Sequence, residues 1–101
     1  MTGNPEEPHR IPVEDHIDLH AFPPAEVRDL VEEYLAQAVE RGFRQVRIIH
    51  GRGSGVQRRI VRSVLSGHPA VEACADAPPE AGGWGATLVR LRAGGPSTSG
   101  E

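Results

Sequence analysis

Asp18 and His20 stand two residues apart in VEDHIDLHA (13–21), a stretch in which apolar and polar residues alternate. His50 closes a second apolar run and is followed at once by Gly51, Arg52, Gly53, Ser54 and Gly55. Imidazole is the side chain that changes charge near neutrality, and a neighbouring carboxylate orients it and favours its protonated form. A glycine-spaced turn opening a helix presents backbone amides to an anion, and Arg52 adds a fixed positive charge. Together these are the parts of a phosphodiester site. One histidine would take a proton from the attacking oxygen and the other would protonate the leaving oxygen. Asp18 would fix a tautomer, while Arg52 and the glycine amides offset charge on the pentavalent phosphorus. On RNA the attacking oxygen is the adjacent 2′-hydroxyl, which needs no metal. On DNA it is water, with a divalent ion held partly by Asp18 as a variant.

Each part also has a structural reading. A His-x-Asp-x-His run (His16, Asp18, His20) suits a strand-end histidine bonded to a carboxylate as well as a catalytic one. The GxGxG of 51–55 lacks the GxGxxG frame and the acidic residue of a dinucleotide site, and without the GK[ST] of a P-loop an NTPase is not expected. Zinc-type Cys/His spacing is absent.

Charge distribution favours the anion reading. The net charge is -3, yet residues 41–62 carry seven arginines and no acid, whereas residues 1–40 carry ten acids and two arginines. That local field suits a polyanion, with Arg58, Arg59 and Arg62 as footing on its backbone. The acidic first helix keeps non-specific affinity low.

The elements that must position these residues follow from periodicity. Residues 13–21 alternate as a strand, with Ile17 and Leu19 toward the core and His16, Asp18 and His20 on the other face. Pro24 suits the first turn of a helix carrying Val27, Leu30, Val31, Tyr34, Leu35 and Ala38 at helical spacing. Gly42 is the expected C′ residue, closed by Phe43. Residues 45–50 form the second strand, making a βαβ unit with a right-handed crossover that brings Asp18, His20 and His50 together at adjacent strand ends. A second helix follows, with Val56, Ile60, Val61, Val64 and Leu65 on one face and Gly67 and Pro69 at its end; His68 either caps its carbonyls or faces water. Residues 71–77 read as a weak third strand, 78–84 as a loop and 85–92 as a fourth strand antiparallel to the third. Trp84 is read as a core or loop-anchoring side chain in preference to a base-stacking one.

Residues 1–12 are expected to be a flexible lead-in and 93–101 a disordered tail, with the folded domain over 13–92. Head and tail suit either a free-standing chain or part of a longer one. Cys74 is the sole cysteine. No internal disulfide can therefore form, and a cytoplasmic setting is expected. No segment reaches the roughly 18 apolar residues of a membrane span, and no signal-peptide pattern is seen.

Four ordered motifs, IDLHA (17–21), IIHGRGSG (48–55), HPAV (68–71) and GGWGATLV (82–89), are similar in order and spacing to those of the Smr (small MutS-related) domain. The resemblance spans about residues 14–92. It implies a two-layer βαβαββ sandwich with a mixed four-stranded sheet, similar to the C-terminal domain of translation initiation factor 3. It also implies binding of branched or structured DNA or RNA and, in several members, endonuclease activity. Function would fall on Asp18, His20, His50, Gly51, Arg52 and Gly53, with Gly83, Gly85 and Thr87 near the same surface, where the two glycines let their loop approach a backbone closely. Ala21 replaces a usual glycine and is expected to alter the turn after the first strand. Gln57 replaces a commonly apolar residue and is expected to loosen the start of the second helix.

The leading expectation is therefore a nuclease on DNA or RNA, and the alternative a non-catalytic nucleic-acid-binding module of a repair or ribosome-associated system. A protein-interaction domain using Glu32, Glu33 and Glu40 is a third class, which full exposure of those residues would disfavour.

Overall fold

The computed structural model describes residues 14–92. The expected lead-in 1–12, Val13 and the tail 93–101 lie outside the described residues. The order is β1 (His16–Asp18), α1 (Pro24–Glu40), β2 (Gln45–Ile49), α2 (Val56–Ser66), β3 (Val71–Asp76) and β4 (Ala86–Leu91), with two short 3-10 turns, Pro79–Ala81 and Gly83–Gly85, between the last two strands. This is an α/β fold with two helices and one mixed sheet in the order β1-β2-β4-β3. β1 and β2 are parallel, while β4 is antiparallel to both β2 and β3.

Strand parity decides which side chains meet the helices. Ile17 on β1, Val46 and Ile48 on β2, and Val89 and Leu91 on β4 lie on the helix side. There they pack with Leu19, with Val27, Val31, Tyr34, Leu35 and Ala38 of α1, and with Val61, Val64 and Leu65 of α2. Burying such aliphatic side chains contributes about 1.5–3 kcal/mol each before conformational entropy is set against it. The opposite parity (His16, Asp18, Gln45, Arg47, Leu88 and Arg90) forms the other face.

α1 begins with Pro24 at its first position, where a missing N–H removes no helical bond. It ends as the periodicity predicts: Gly42, at φ +82°, donates to the Val39 carbonyl and Phe43 to that of Ala38, both at 3.0 Å. This reciprocal pair is a Schellman closure, and Phe43 packs against the core. Tyr34 donates its hydroxyl to the Glu14 carbonyl, tying α1 to the chain ahead of β1. Glu32, Glu33 and Glu40 are exposed, as a solvated face requires.

Three expectations are corrected. The first strand is limited to His16–Asp18, although the Leu19 N–H still donates to the Ile49 carbonyl at 2.7 Å. Val56, placed on the apolar face of α2, is exposed, because that face turns inward only from Ile60 onward. On β3 a bulge between Val71 and Ala73 shifts the alternation, so Val71 and Cys74 face the core while Ala73 and Ala75 are exposed.

Candidate functional site

β1 ends one residue before Leu19, whose burial anchors the chain while Asp18 and His20 remain in solvent. Asp18 Oδ1 accepts the His20 backbone N–H at 3.0 Å and the His20 Nδ1–H at 2.6 Å. The ring bond holds the Asp18 carboxyl below its ordinary range, the backbone bond adds to the effect, and the slight burial opposes both. With Nδ1–H committed to a carboxylate, neutral His20 carries its lone pair on Nε2. That nitrogen has no hydrogen-bond partner among the described residues.

His20 lines an open groove of about 350 Å³ with Phe22, Arg52, Gly53, Ser54 and Gln57. The two motifs meet because Gly51 has no side chain: a Cβ there would stand 3.1 Å from His20 Cβ, and its φ of +84° is one that other residues rarely adopt. The N–H groups of His50 and Gly51 both donate to the Gly85 carbonyl, at 3.0 and 2.9 Å. The amides of Arg52, Gly53, Ser54 and Gly55 donate to no backbone carbonyl among the described residues, leaving the turn at the start of α2 open to an anion. Arg52, exposed, reaches back to the Gly82 carbonyl at 3.4 Å.

His50 is not placed as expected. It is 2% exposed, on the helix side of the sheet. Its Nδ1–H donates to the Gly51 carbonyl at 3.0 Å, and Nε2 accepts from the Thr87 hydroxyl at 2.9 Å. Thr87 Oγ1 in turn accepts the Arg62 Nε–H at 3.3 Å. Burial pushes the His50 pKa down, against the raising effect of the Gly51 carbonyl, and the Arg58 and Arg62 charges push it further down. His50 borders the same groove as His20, yet both its ring nitrogens are bonded within the domain, an arrangement that shapes the loop at the end of β2.

The expected nucleic-acid contacts divide similarly. Arg52 and Arg59, with Gly53 and Ser54, are exposed, and the half-buried Gly51 and Gly55 belong to the same loop. Arg62 is turned inward, to Thr87 and to Asp76 Oδ1 at 2.6 Å, and Arg58 donates to that same oxygen at 2.7 Å. Thr87 and Gly85 are buried. Gly85 does permit a close approach, but to the domain's own backbone: a Cβ there would meet Arg52 Cγ at 3.1 Å and the Gly51 carbonyl carbon at 3.5 Å. A Cβ on Gly83 would likewise meet Arg52 Nη2 at 3.1 Å. The other arginines lie elsewhere. Arg41 and Arg44 precede β2, roughly 17 Å from the groove by strand length, and Arg47 donates to the Ala81 carbonyl at 3.3 Å.

One residue at the site, Asp76, escaped sequence reasoning, and two others, Gln57 and Ala21, play parts other than those expected. Gln57 donates its amide to the Leu19 carbonyl at 3.4 Å and to the Phe22 carbonyl, so it secures the start of α2 to the β1–α1 turn instead of loosening it. Ala21 fits that turn, as no residue other than glycine has positive φ among the described residues. Asp76 gathers Arg58 and Arg62, and their hydrogen bonds and charges hold its carboxyl below the ordinary range, Arg58 foremost. Trp84 is 42% exposed and so lies outside the core, but its ring rests on the loop at Gly55, the loop-anchoring half of the expectation. Period-two counting along Val46, Ile48 and His50, and along Thr87, Val89 and Leu91, was the available signal for the two inward polar groups. Asp76 had none, since its partners lie on a different element.

The donor set does not fit the divalent ion expected as a variant. Among the described residues no group of three or more His, Cys, Asp or Glu side chains could hold a metal, and Asp18 Oδ1 already accepts two bonds. No described helix is long and apolar enough to cross a membrane.

Comparison with known proteins identifies the fold and the family. The family profile described as Smr domain matches residues 17–92. Endonuclease MutS2 of Helicobacter pylori is 39% identical over 75 residues, which are 74% of this chain and 10% of that protein. The chain thus spans about a tenth of the length of the curated relatives it matches. The crystal structure of the Smr domain of Thermus thermophilus MutS2 superposes with a TM-score of 0.75 at 38% identity, covering 78% of this chain and 99% of that one. YdaL, a stand-alone small MutS-related protein from Escherichia coli, gives a TM-score of 0.69 at 37% identity, covering 80% of this chain and 66% of its own. The chain belongs to the Smr domain family.

Proposed function

We propose that this domain is an endonuclease that binds DNA or RNA and cleaves a phosphodiester in the groove beside His20. One observation carries the reading: the Asp18–His20 pair, 2.6 Å apart, leaves His20 Nε2 as an unpartnered base on a groove lined by the Gly51–Gly55 loop and Arg52. His20 Nε2 takes the proton of the attacking oxygen, the 2′-hydroxyl of RNA or a water. That oxygen bonds to phosphorus as the bond to the leaving oxygen breaks. Arg52 and the loop amides offset charge on the phosphoryl oxygens, and the leaving oxygen takes its proton from solvent. The name of Endonuclease MutS2, matched over 75 residues of this chain, supports the reading. A two-layer likeness to the C-terminal domain of translation initiation factor 3 belongs to the same proposal.

The test is incubation of supercoiled plasmid and structured RNA, with and without chelator, with the protein and its Asp18→Ala/His20→Ala variant. Cleavage by the first and binding without cleavage by the second is the expected result; equal behaviour of the two would sink the catalytic assignment. One observation favours a second reading, a non-cleaving DNA- or RNA-binding module of a repair or ribosome-associated system: both ring nitrogens of His50, the other histidine on the groove, are already bonded within the domain.

A further inference from the structure

Trp84 is the largest side chain the site does not use, and it touches Gly55 and Arg58, two residues that line the groove. It occupies the second 3-10 turn, between Gly83 and Gly85, both packed against Arg52. Its six-membered ring rests on the loop that opens α2, since a Cβ on Gly55 would stand 3.4 Å from Trp84 Cη2. The Arg58 guanidinium lies over the ring, 4.8 Å from its centroid, held by Asp76. An indole pinned at one edge and under one cation, yet 42% exposed, is ordered without being buried. Indole faces and guanidinium planes both stack on nucleobases, and every base has a face to offer once it leaves its own stack.

We propose that Trp84, with Arg58, is a stacking platform for an unpaired nucleobase, and that the groove therefore takes single-stranded or locally unpaired nucleic acid in preference to intact duplex. This rests on the reading of the groove as a nucleic-acid site. The flanking phosphates would meet the exposed Arg52, packed against Gly83 and Gly85 on either side of Trp84, and the exposed Arg59 in the first turn of α2. A paired base in a duplex is stacked on both faces and cannot occupy the platform without being extruded.

Trp84 is the only tryptophan in the chain, so its emission reports on this ring alone. The protein is titrated with single-stranded DNA, single-stranded RNA, a duplex, and an abasic oligonucleotide of equal length and charge, while tryptophan emission and the anisotropy of a label on the nucleic acid are followed. Quenching by either single strand, with far less by the duplex and the abasic strand, is expected. Trp84→Ala is expected to lose roughly 5- to 150-fold in single-strand affinity, and Trp84→Phe to regain part of it. Binding seen by anisotropy with unchanged emission, or equal quenching by the abasic strand, would overturn the platform while leaving the nucleic-acid reading intact. Absence of binding to all four would overturn both. Binding with normal quenching but no cleavage would support the platform and count only against the nuclease.

Discussion

Thr87 Oγ1 lies 2.9 Å from His50 Nε2 inside the domain, and the same oxygen accepts from Arg62 at 3.3 Å. Thr87→Val keeps the shape and removes the hydroxyl, leaving a buried ring nitrogen and an arginine N–H each short of a partner. Loss of about 1–3 kcal/mol of stability is expected, read as a lower urea midpoint with unchanged slope. Plasmid or RNA cleavage is expected to survive in the folded Thr87→Val variant and to disappear in the Asp18/His20 variant. A cleavage defect as deep in Thr87→Val would return His50 to the proton-transfer chemistry.

Gly51→Ala is expected to do the opposite. At φ +84° an alanine is strained by about 1–2 kcal/mol, and its Cβ would press on His20 Cβ from 3.1 Å. His20 must move, and it is held to Asp18 by a bond only 2.6 Å long. Cleavage should fall further than the lost stability explains, since even a shift of a few tenths of an ångström moves His20 away from a productive geometry. Cleavage scaled only to the folded fraction would show that His20 position is not limiting.

Much of this was legible along the chain wherever the interaction was local or periodic. Gly42 and Phe43 announce the end of α1 because a Schellman closure involves residues only five apart. Asp18 and His20 announce their pairing because they are two apart. What escaped depends on register between distant strands. His50 follows Val46 and Ile48 to the helix side, but its partner Thr87 is 37 residues away and is set by the β2–β4 pairing. Asp76 meets Arg58 and Arg62 only because β3 joins the sheet beyond β4 and α2 packs over it. A count of seven arginines therefore overstated the basic surface of the groove. Two of them are shared with one carboxylate, and three lie at the far end or other face of the sheet.

Gln57→Leu restores an apolar residue at the start of α2 and removes the donor to the Leu19 and Phe22 carbonyls. A net loss of about 1 kcal/mol is expected, because Gln57 is only half-buried and water can replace part of the interaction. Faster amide exchange in residues 20–23 would accompany it. A higher urea midpoint for the variant would show that the apolar contact outweighs the two bonds.

Tyr34 gives an alkaline signature. Burial first, and then the Asp15 and Glu14 charges, push its pKa from 10.0 up to about 12. The raised value in the folded state means that its contribution to stability is complete below pH 10 and is lost as pH rises through about 12. The chain has one tyrosine and no lysine, so no other side chain confuses that window. Tyrosinate absorbance should appear only near or after unfolding. Tyr34→Phe should be less stable at neutral pH, through loss of the bond to Glu14, with a flatter stability curve between pH 10 and 12. An equally steep fall in the variant would rule out Tyr34 as its cause.

Asp76 and a bound phosphate compete for the same two guanidinium groups. Asp76 Oδ1 accepts from Arg58 at 2.7 Å and from Arg62 at 2.6 Å, so both cations are partly neutralised within the domain. Asp76→Asn releases that charge. Affinity for a polyanion should rise, and the plot of log affinity against log salt should steepen by roughly 0.7–0.9 for each arginine that gains a phosphate. Stability should move the other way, because the carboxylate is held below its ordinary pKa by these two partners. A depressed folded-state value means that the contribution is present above the ordinary pKa of 3.8 and is lost as pH falls below it through the folded-state value. The variant is therefore expected to be less stable than the parent at neutral pH, with the gap closing below pH 3.8. Unchanged affinity and salt slope, measured by anisotropy on a labelled single strand, would show that neither Arg58 nor Arg62 gains a phosphate when Asp76 releases it.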